Sequence, residues 1–175
     1  MTRLCAWLLA VVPLLAACST PDIQSYQDNT PKLDLYQFFS GHTQAWGMFR
    51  DRSGKLIKRF SVDINGHRDG NALILDERFL YADGTRQQRS WRLEPKGNGL
   101  WRGTAADVIG EAQGEVAGNA LHWRYSLLLP LDGRVWAVDF DDWMFLQDNH
   151  TMLNSAHMSK FGFGLGDVSL FFRKE

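Results

Sequence analysis

From residue 121 to residue 129 every second side chain is large and apolar, and mainly polar side chains lie between them. This alternation is typical of a β-strand with one buried face. Residues 136–140 repeat the pattern, and a turn at residues 131–134 pairs Leu129 with Trp136 and Tyr125 with Phe140. This register puts all the large apolar groups on the same face, as two strands that share a core require. The stretch therefore predicts an antiparallel hairpin with an aromatic-lined face.

Beyond Phe140 the apolar phase shifts by one residue, to Trp143 and Phe145. One extra residue in a strand is a β-bulge, which bends the sheet. The sequence therefore predicts a bulge at Asp141 and Asp142. We interpret the acidic cluster of Asp139 and these two aspartates as a structural cap of the bulge that pairs with nearby Arg or Lys. A pair of catalytic carboxylates is the alternative.

The rest of the chain alternates short apolar-polar runs with turn signals such as Asn65-Gly66 and Gly118-Asn119. The other predicted strands lie near residues 46–50, 56–64, 73–81, 85–93, 100–105, 108–116, 151–158 and 168–172. About ten strands in up-and-down order favour a barrel, because closure removes exposed sheet edges. We predict an all-β fold, an antiparallel up-and-down β-barrel of about ten strands. Residues 33–39 predict a helical turn that plugs one end.

The N-terminus has the pattern of a secretory signal. Arg3 precedes an apolar run over residues 4–14, which is too short to span a bilayer. The following Leu15-Ala16-Ala17-Cys18 resembles the lipobox of bacterial lipoproteins. The resemblance implies that residues 1–17 are a signal peptide and that Cys18 carries the lipid. Ser19, where Asp would favour inner-membrane retention, implies an outer-membrane address.

The segment that follows is polar and turn-rich, and it predicts a tether over residues 18–31. Residues 32–175 then form one domain. With Cys5 in the signal and Cys18 acylated, no thiol remains for a disulfide. A membrane reached through the lipid anchor is the predicted partner.

Charge and motif searches remove several classes of function. The formal net charge is −1, with 19 Lys and Arg against 20 Asp and Glu, so no nucleic-acid partner is predicted. The five histidines show no metal-ligand spacing, and no nucleophile elbow or phosphate-binding glycine loop occurs. We therefore predict no metal, no cofactor and no catalytic residue.

Glu77 interrupts an apolar inward series, and a hairpin loop at Ala82-Asp83-Gly84 puts Arg89 directly across from it. An interior charge pair needs partners or a wet cavity to offset its desolvation. Two interpretations remain open. Arg89 anchors the carboxylate or phosphate of a ligand inside the barrel, or the pair is structural, solvated and inert at the barrel mouth.

Large aromatic residues share the predicted inner face. They form a solid core if the barrel is filled, and they line an apolar pocket if it is open. The proposed ligand-binding residues are Arg89, Glu77, Trp91, Trp123, Tyr125 and Trp136.

Eight short segments together resemble the bacterial lipoproteins grouped as domain of unknown function 3833. They are Phe38-Phe39-Ser40-Gly41, Asp51-Arg52-Ser53-Gly54, Asp76-Glu77-Arg78-Phe79, Tyr81-Ala82-Asp83-Gly84, Arg89-Ser90-Trp91, Asp107-Val108-Ile109-Gly110 with Gly114, Asp141-Asp142-Trp143-Met144 and Ser159-Lys160-Phe161-Gly162. The resemblance implies a location in the bacterial envelope and carries no activity. A broader likeness is to lipocalin-like, or calycin, barrels.

Three functions follow as hypotheses. The first is an envelope lipoprotein whose lipocalin-like barrel binds an apolar or amphiphilic small molecule. The second is a solid-cored structural or partner-binding lipoprotein, which predicts an exposed apolar patch and no cavity. The third is an enzyme that uses inward carboxylates with raised pKa values.

Overall fold

Ten antiparallel strands form one closed barrel in the computed structural model, and each strand pairs with its neighbours along the chain while β10 closes onto β1. The structure describes residues 21–131 and 133–175. The strands are β1 (Gly41–Asp51), β2 (Leu56–Asp69), β3 (Ala72–Tyr81), β4 (Arg86–Gly97), β5 (Leu100–Thr104), β6 (Ala112–Ala117), β7 (Ala120–Leu131), β8 (Arg134–Leu146), β9 (Thr151–Lys160) and β10 (Phe163–Lys174). The predicted all-β up-and-down barrel is confirmed.

The predicted signal peptide, Cys18 and the first residues of the predicted tether lie outside the described residues, as does Asp132 in the turn of the β7–β8 hairpin. No helix within the described ranges is long and apolar enough to cross a bilayer.

The strand registers follow the sequence pattern. Glu77 lies across from Arg89 and Leu75 across from Trp91 in the β3–β4 pair. Leu129 lies across from Trp136 in the β7–β8 pair. These registers confirm that period-two alternation, together with the turn residues, fixes which side chains point inward.

The predicted bulge at Asp141 and Asp142 is wrong. The β7–β8 register runs without a shift from Ala120 and Phe145 at one end to Leu131 and Arg134 at the other. Trp143 and Phe145 therefore point outward, while Asp142 points inward. The apolar pattern shifts by one residue because these two outward rings are covered by Tyr26 and so are apolar as well. The Tyr26 ring centroid lies 5.8 Å from Trp143 and 5.2 Å from Phe145.

Tyr26 belongs to a short 3-10 helix, Ile23–Tyr26, which packs on the outside of the barrel. The Asp22 side chain caps it by accepting a hydrogen bond from the Gln24 backbone N–H, and Ile23 is buried. Further along, the Leu33 backbone N–H donates to the Gly118 carbonyl. Residues 23–26, which lie inside the segment predicted as a tether, therefore pack on the folded domain and cover apolar side chains on the outer wall.

One end of the barrel is closed by α1 (Leu35–Phe39), as the sequence predicts. Asp34 caps this helix, and Leu35, Phe38 and Phe39 are buried. A Cβ at Gly66 would lie 1.7 Å from the Phe39 carbonyl oxygen, so only glycine allows the plug to approach β2 this closely. The hairpin connections β1–β2, β3–β4, β5–β6, β7–β8 and β9–β10 lie at the other end, which we call the mouth; their described residues are 52–55, 82–85, 105–111, 133 and 161–162.

Strands β5 and β6 are short, and the loop between them, residues 105–111, completes the wall on the mouth side. Val108 forms an isolated bridge with Leu127, and the Ile109 N–H donates to the Ser126 carbonyl. The predicted strand over residues 108–116 therefore begins only at Ala112. The loop brings Asp107 to the barrel wall beside β4.

Candidate functional site

The interior of the barrel holds a cavity of about 610 Å³. It extends from the plug residues Leu35 and Phe39 to Thr85 and Pro130 at the mouth. Exposed Ile57 also contributes to its lining, so the cavity is reached from solvent at the mouth. Its volume lies within the range of about 300–1,000 Å³ that is typical of small-molecule sites.

One wall of the cavity is aromatic. The ring centroid of Trp91 lies 5.4 Å from Tyr125 and 5.9 Å from Trp123, both edge-on, and Tyr125 stacks on Phe140 at 5.0 Å. Edge-on and offset arrangements of this kind stabilise aromatic clusters. A Cβ at Gly114 would lie 2.1 Å from the Trp123 ring, so the small residues of β6 make room for the indole.

Five of the six proposed ligand-binding residues line the cavity: Trp91, Trp123, Tyr125, Glu77 and Arg89. The sixth, Trp136, does not belong to the lining that the described residues form. Trp136 lies near the start of β8 with 38% of its surface exposed. The Lys160 Nζ atom sits 3.7 Å from the centroid of its ring, in a cation–π contact outside the cavity. The expectation that Trp136 lines the interior is corrected for this reason.

Arg89 is held by a partner that periodicity does not reveal. Its Nε atom donates to both Asp107 carboxylate oxygens at 3.1 and 3.0 Å, and its Nη2 atom donates to Oδ2 at 2.8 Å. The predicted partner Glu77 is more distant, with 3.9 Å between Glu77 Oε2 and Arg89 Nη1. Asp107 was missed because it lies in a loop, where its only signal was the family-like segment Asp107-Val108-Ile109-Gly110.

The Glu77 side chain is only 14% exposed, and its buried Oε2 atom has no hydrogen-bond partner among the described residues. Burial raises the pKa of this carboxyl to about 7, although the Arg89 guanidinium opposes the shift. Loss of solvation therefore outweighs the attraction of a cation that is not in hydrogen-bond contact.

The acidic cluster on β8 divides between the two faces of the wall. Asp142 points into the cavity with 5% of its surface exposed, and the Tyr125 hydroxyl donates to its Oδ2 atom at 3.1 Å. Burial raises the pKa of Asp142 to about 7, while the Tyr125 hydrogen bond opposes the shift. Asp141 faces outward, 2.8 Å from His122 Nε2, and Asp139 accepts from the Ser126 hydroxyl. The three aspartates therefore do not cap a bulge. The carboxyl of Asp142 lies in the interior, and those of Asp141 and Asp139 lie on the outer face.

Asn154 on β9 adds a further polar group to the lining. It is 5% exposed, and its Oδ1 atom has no hydrogen-bond partner among the described residues, as is also true of Asp142 Oδ1. Sequence periodicity did not single out Asn154. Within residues 21–131 and 133–175, no group of three His, Cys, Asp or Glu side chains is placed to hold a metal ion.

A second cavity, of about 510 Å³, lies in the wall beside β4 and shares Glu77, Gln87 and Arg89 with the interior. It exists because β5 ends at Thr104, opposite Arg92, so that β4 continues towards the mouth beyond the last β5 pair. The ion pair between Arg89 and Asp107 bridges this gap in the wall.

Comparisons with known proteins support the fold and the family. The family described as "Protein of unknown function (DUF3833)" matches residues 12–174. A solved S-type phycobiliprotein lyase from Guillardia theta has a similar structure, with a TM-score of 0.60 and 7% identity over 89% of this chain and 99% of that chain. At this identity the likeness shows the lipocalin-like fold alone. A comparison with curated proteins gives no match.

Proposed function

The chain belongs to the DUF3833 family, and we propose that its barrel binds an apolar or amphiphilic small molecule inside the cavity. The observation that carries this proposal is the cavity of about 610 Å³ with a mainly apolar lining and a few polar groups. This combination is the usual composition of a small-molecule site, in which apolar surface supplies affinity and polar groups fix orientation. Trp91, Trp123 and Tyr125 supply the apolar contact, and Glu77, Arg89 and Asp142 the polar groups.

The proposal is tested by titrating the domain from Pro21 onward with N-phenyl-1-naphthylamine, an apolar dye whose fluorescence rises in apolar surroundings. We expect saturable binding of one dye molecule per barrel. Leu129 lines the cavity near the mouth, whereas Leu128 faces outward on the same strand with 43% of its surface exposed. Leu129→Trp should fill the space and weaken dye binding at least about tenfold, which corresponds to about 1.4 kcal/mol.

Leu128→Trp is the matched control, because it makes the same change on the opposite face of the strand. Its dye affinity should stay within about twofold of that of the unmodified protein. Equal affinity of both variants would mean that the dye binds outside the cavity, and this result contradicts the proposal.

Catalysis is the second candidate, and one observation favours it. Glu77 and Asp142 both reach the cavity, and the pKa of each is raised to about 7, a value suited to general acid–base chemistry at neutral pH. A binding protein releases its ligand unchanged, whereas an enzyme converts it. Mass spectrometry of co-purified molecules, before and after incubation with the protein, distinguishes the two candidates.

We also propose that the barrel is tethered to the outer membrane through a lipid on Cys18, as the lipobox-like sequence suggests. The outer wall supports a position near a membrane. Trp46, Leu153 and Phe171 are large, exposed and adjacent across β1, β10 and β9, and Leu153 lies across from Phe145 on β8, beside the covering Tyr26. The same exposed band favours a partner-binding surface as the alternative.

Radioactive palmitate added to growing cells tests the anchor. Cys18→Ser should abolish labelling and release the protein from the membrane fraction, and Cys5→Ser, inside the predicted signal, should leave both unchanged. Label that persists in Cys18→Ser would contradict the proposed anchor.

A further inference from the structure

We propose that the cavity selects a ligand whose polar end donates hydrogen bonds, such as a primary ammonium or a hydroxyl group, over one that ends in a carboxylate or phosphate. This inference rests on the proposed function and names the chemical class of the ligand. It follows from the unpaired acceptors in the lining, from their arrangement and from the partners of Arg89.

Three buried oxygen atoms of the lining have no hydrogen-bond partner among the described residues. They are Asp142 Oδ1, Asn154 Oδ1 and Glu77 Oε2. An unsatisfied buried polar group costs about 1–3 kcal/mol, so native proteins contain few of them. At pH 8, where the carboxyls of Glu77 and Asp142 are mainly ionised, all three oxygens are acceptors in one cavity. A ligand that supplies donors then satisfies them, whereas a carboxylate or phosphate does not.

Two of these acceptors lie within reach of one ligand group. Asp142 on β8 lies across from Ala156 on β9, and Asn154 is two residues earlier on the same inner face. The backbone positions of diagonal neighbours of this kind are about 7–8 Å apart, and both side chains extend into the cavity, so one ligand end placed between them is near both. The Tyr125 hydroxyl occupies the other oxygen of Asp142, which leaves Oδ1 for the ligand.

Two cations belong to the lining: Lys58 is exposed near the mouth, and Arg89, which lies deeper beside the unpaired acceptors, is already neutralised. Arg89 donates to Asp107 through Nε and Nη2, and its Nη1 atom lies 3.9 Å from Glu77. An anionic ligand that approached Nη1 would share the guanidinium with Asp107, and it would also meet the carboxyls of Glu77 and Asp142. The sequence-based interpretation of Arg89 as an anchor for a carboxylate or phosphate is therefore disfavoured.

The experiment uses four amphiphiles with the same twelve-carbon chain to displace the bound dye at pH 8, each below the concentration at which it forms micelles. Dodecylamine carries charge and donors, 1-dodecanol has a donor without charge, dodecyltrimethylammonium has charge without a donor, and dodecanoate has only acceptors. We expect dodecylamine to displace the dye at a concentration at least about tenfold lower than dodecanoate. Dodecylamine should also displace the dye at a lower concentration than dodecyltrimethylammonium, and 1-dodecanol should do so at a lower concentration than dodecanoate.

Two results overturn the inference while leaving the proposed function intact. Dodecanoate that binds as tightly as dodecylamine removes the preference for donors, and dodecyltrimethylammonium that equals dodecylamine reduces the preference to charge alone. Failure of the dye to bind at all contradicts the proposed function itself, so the two failures are distinguishable.

Variants at two adjacent carboxyls locate the effect. Asp142→Asn should reduce the advantage of dodecylamine over dodecanoate by about tenfold. Asp141→Asn, which changes the outward neighbour, should leave that advantage unchanged. Dye binding in each variant reports that the barrel and its cavity are intact. An unchanged advantage in Asp142→Asn, with the dye still bound, would overturn the assignment of Asp142.

Discussion

At the residue scale, the feature that sets this barrel apart is a carboxyl group kept inside an apolar cavity without a full set of partners. Burial raises the pKa of Asp142 from the ordinary 3.8 to about 7 against the Tyr125 hydrogen bond; the Asp141 charge adds to the rise, and the Arg89 charge opposes it. Such strain in a folded protein is commonly retained where a ligand relieves it.

The first prediction concerns stability as a function of pH. Between about pH 4 and pH 7 folded Asp142 keeps a proton that the unfolded chain releases, so the free energy of unfolding falls as the pH rises through this window. The pKa rises by about three units and one unit corresponds to about 1.4 kcal/mol, so the loss is on the order of 4 kcal/mol. Asp142→Asn should remove this contribution and make the protein more stable than the parent at pH 8 while nearly equal to it at pH 4.

Urea denaturation at pH 4 and pH 8 checks the prediction, with Asp141→Asn as the control that keeps the parent's pH dependence. A parent-like fall in stability between the two pH values in Asp142→Asn would show that this carboxyl is not the group responsible.

The second prediction separates a buried ion pair from an exposed one. Arg89 is 13% exposed and its removal leaves Asp107 and Glu77 uncompensated, so Arg89→Met should destabilise the fold by about 3 kcal/mol or more. Arg92 on the same strand pairs with Asp69 at the surface, so Arg92→Met should cost less than about 1 kcal/mol. If both substitutions lower the free energy of unfolding equally in urea denaturation, the interior ion pair contributes no more to stability than the exposed one.

At the element scale, the sequence predicts those features that depend on local alternation. The β3–β4 and β7–β8 registers and the plug at α1 follow from period-two patterns, turn residues and a short apolar run. The prediction of a bulge was wrong because the sequence pattern shows that Trp143 and Phe145 are apolar but does not show which residues cover them. The loop at residues 105–111 has no period at all, which is why Asp107 was not predicted as the partner of Arg89.

The third prediction concerns the 3-10 helix that covers those two rings. Tyr26 contacts both Trp143 and Phe145, so Tyr26→Ala should expose outer-wall apolar surface and destabilise the domain by about 1–3 kcal/mol. Gln27→Ala, at the exposed next residue, is the control and should change stability by less than about 0.5 kcal/mol. A free tether predicts that neither substitution has any effect on the urea midpoint.

At the scale of the whole molecule, the number of strands explains why the interior is open. The diameter of a barrel grows with its strand number, and about eight strands leave an interior that side chains just fill or that holds one small ligand. Ten strands enclose more volume, and here the aromatic side chains leave about 610 Å³ unfilled. The sequence predicted that the sheet closes into a barrel, but it could not predict the size of the cavity. The cavity volume is the small difference between the volume that the barrel encloses and the summed volume of all inward side chains.

Native mass spectrometry of the protein purified from its own cells detects a small molecule held in the cavity. We expect a mass increment of one bound molecule per chain, which is lost in Leu129→Trp and retained in Leu128→Trp. A ligand-free mass for the unmodified protein, or the same increment in both variants, would contradict the proposed function.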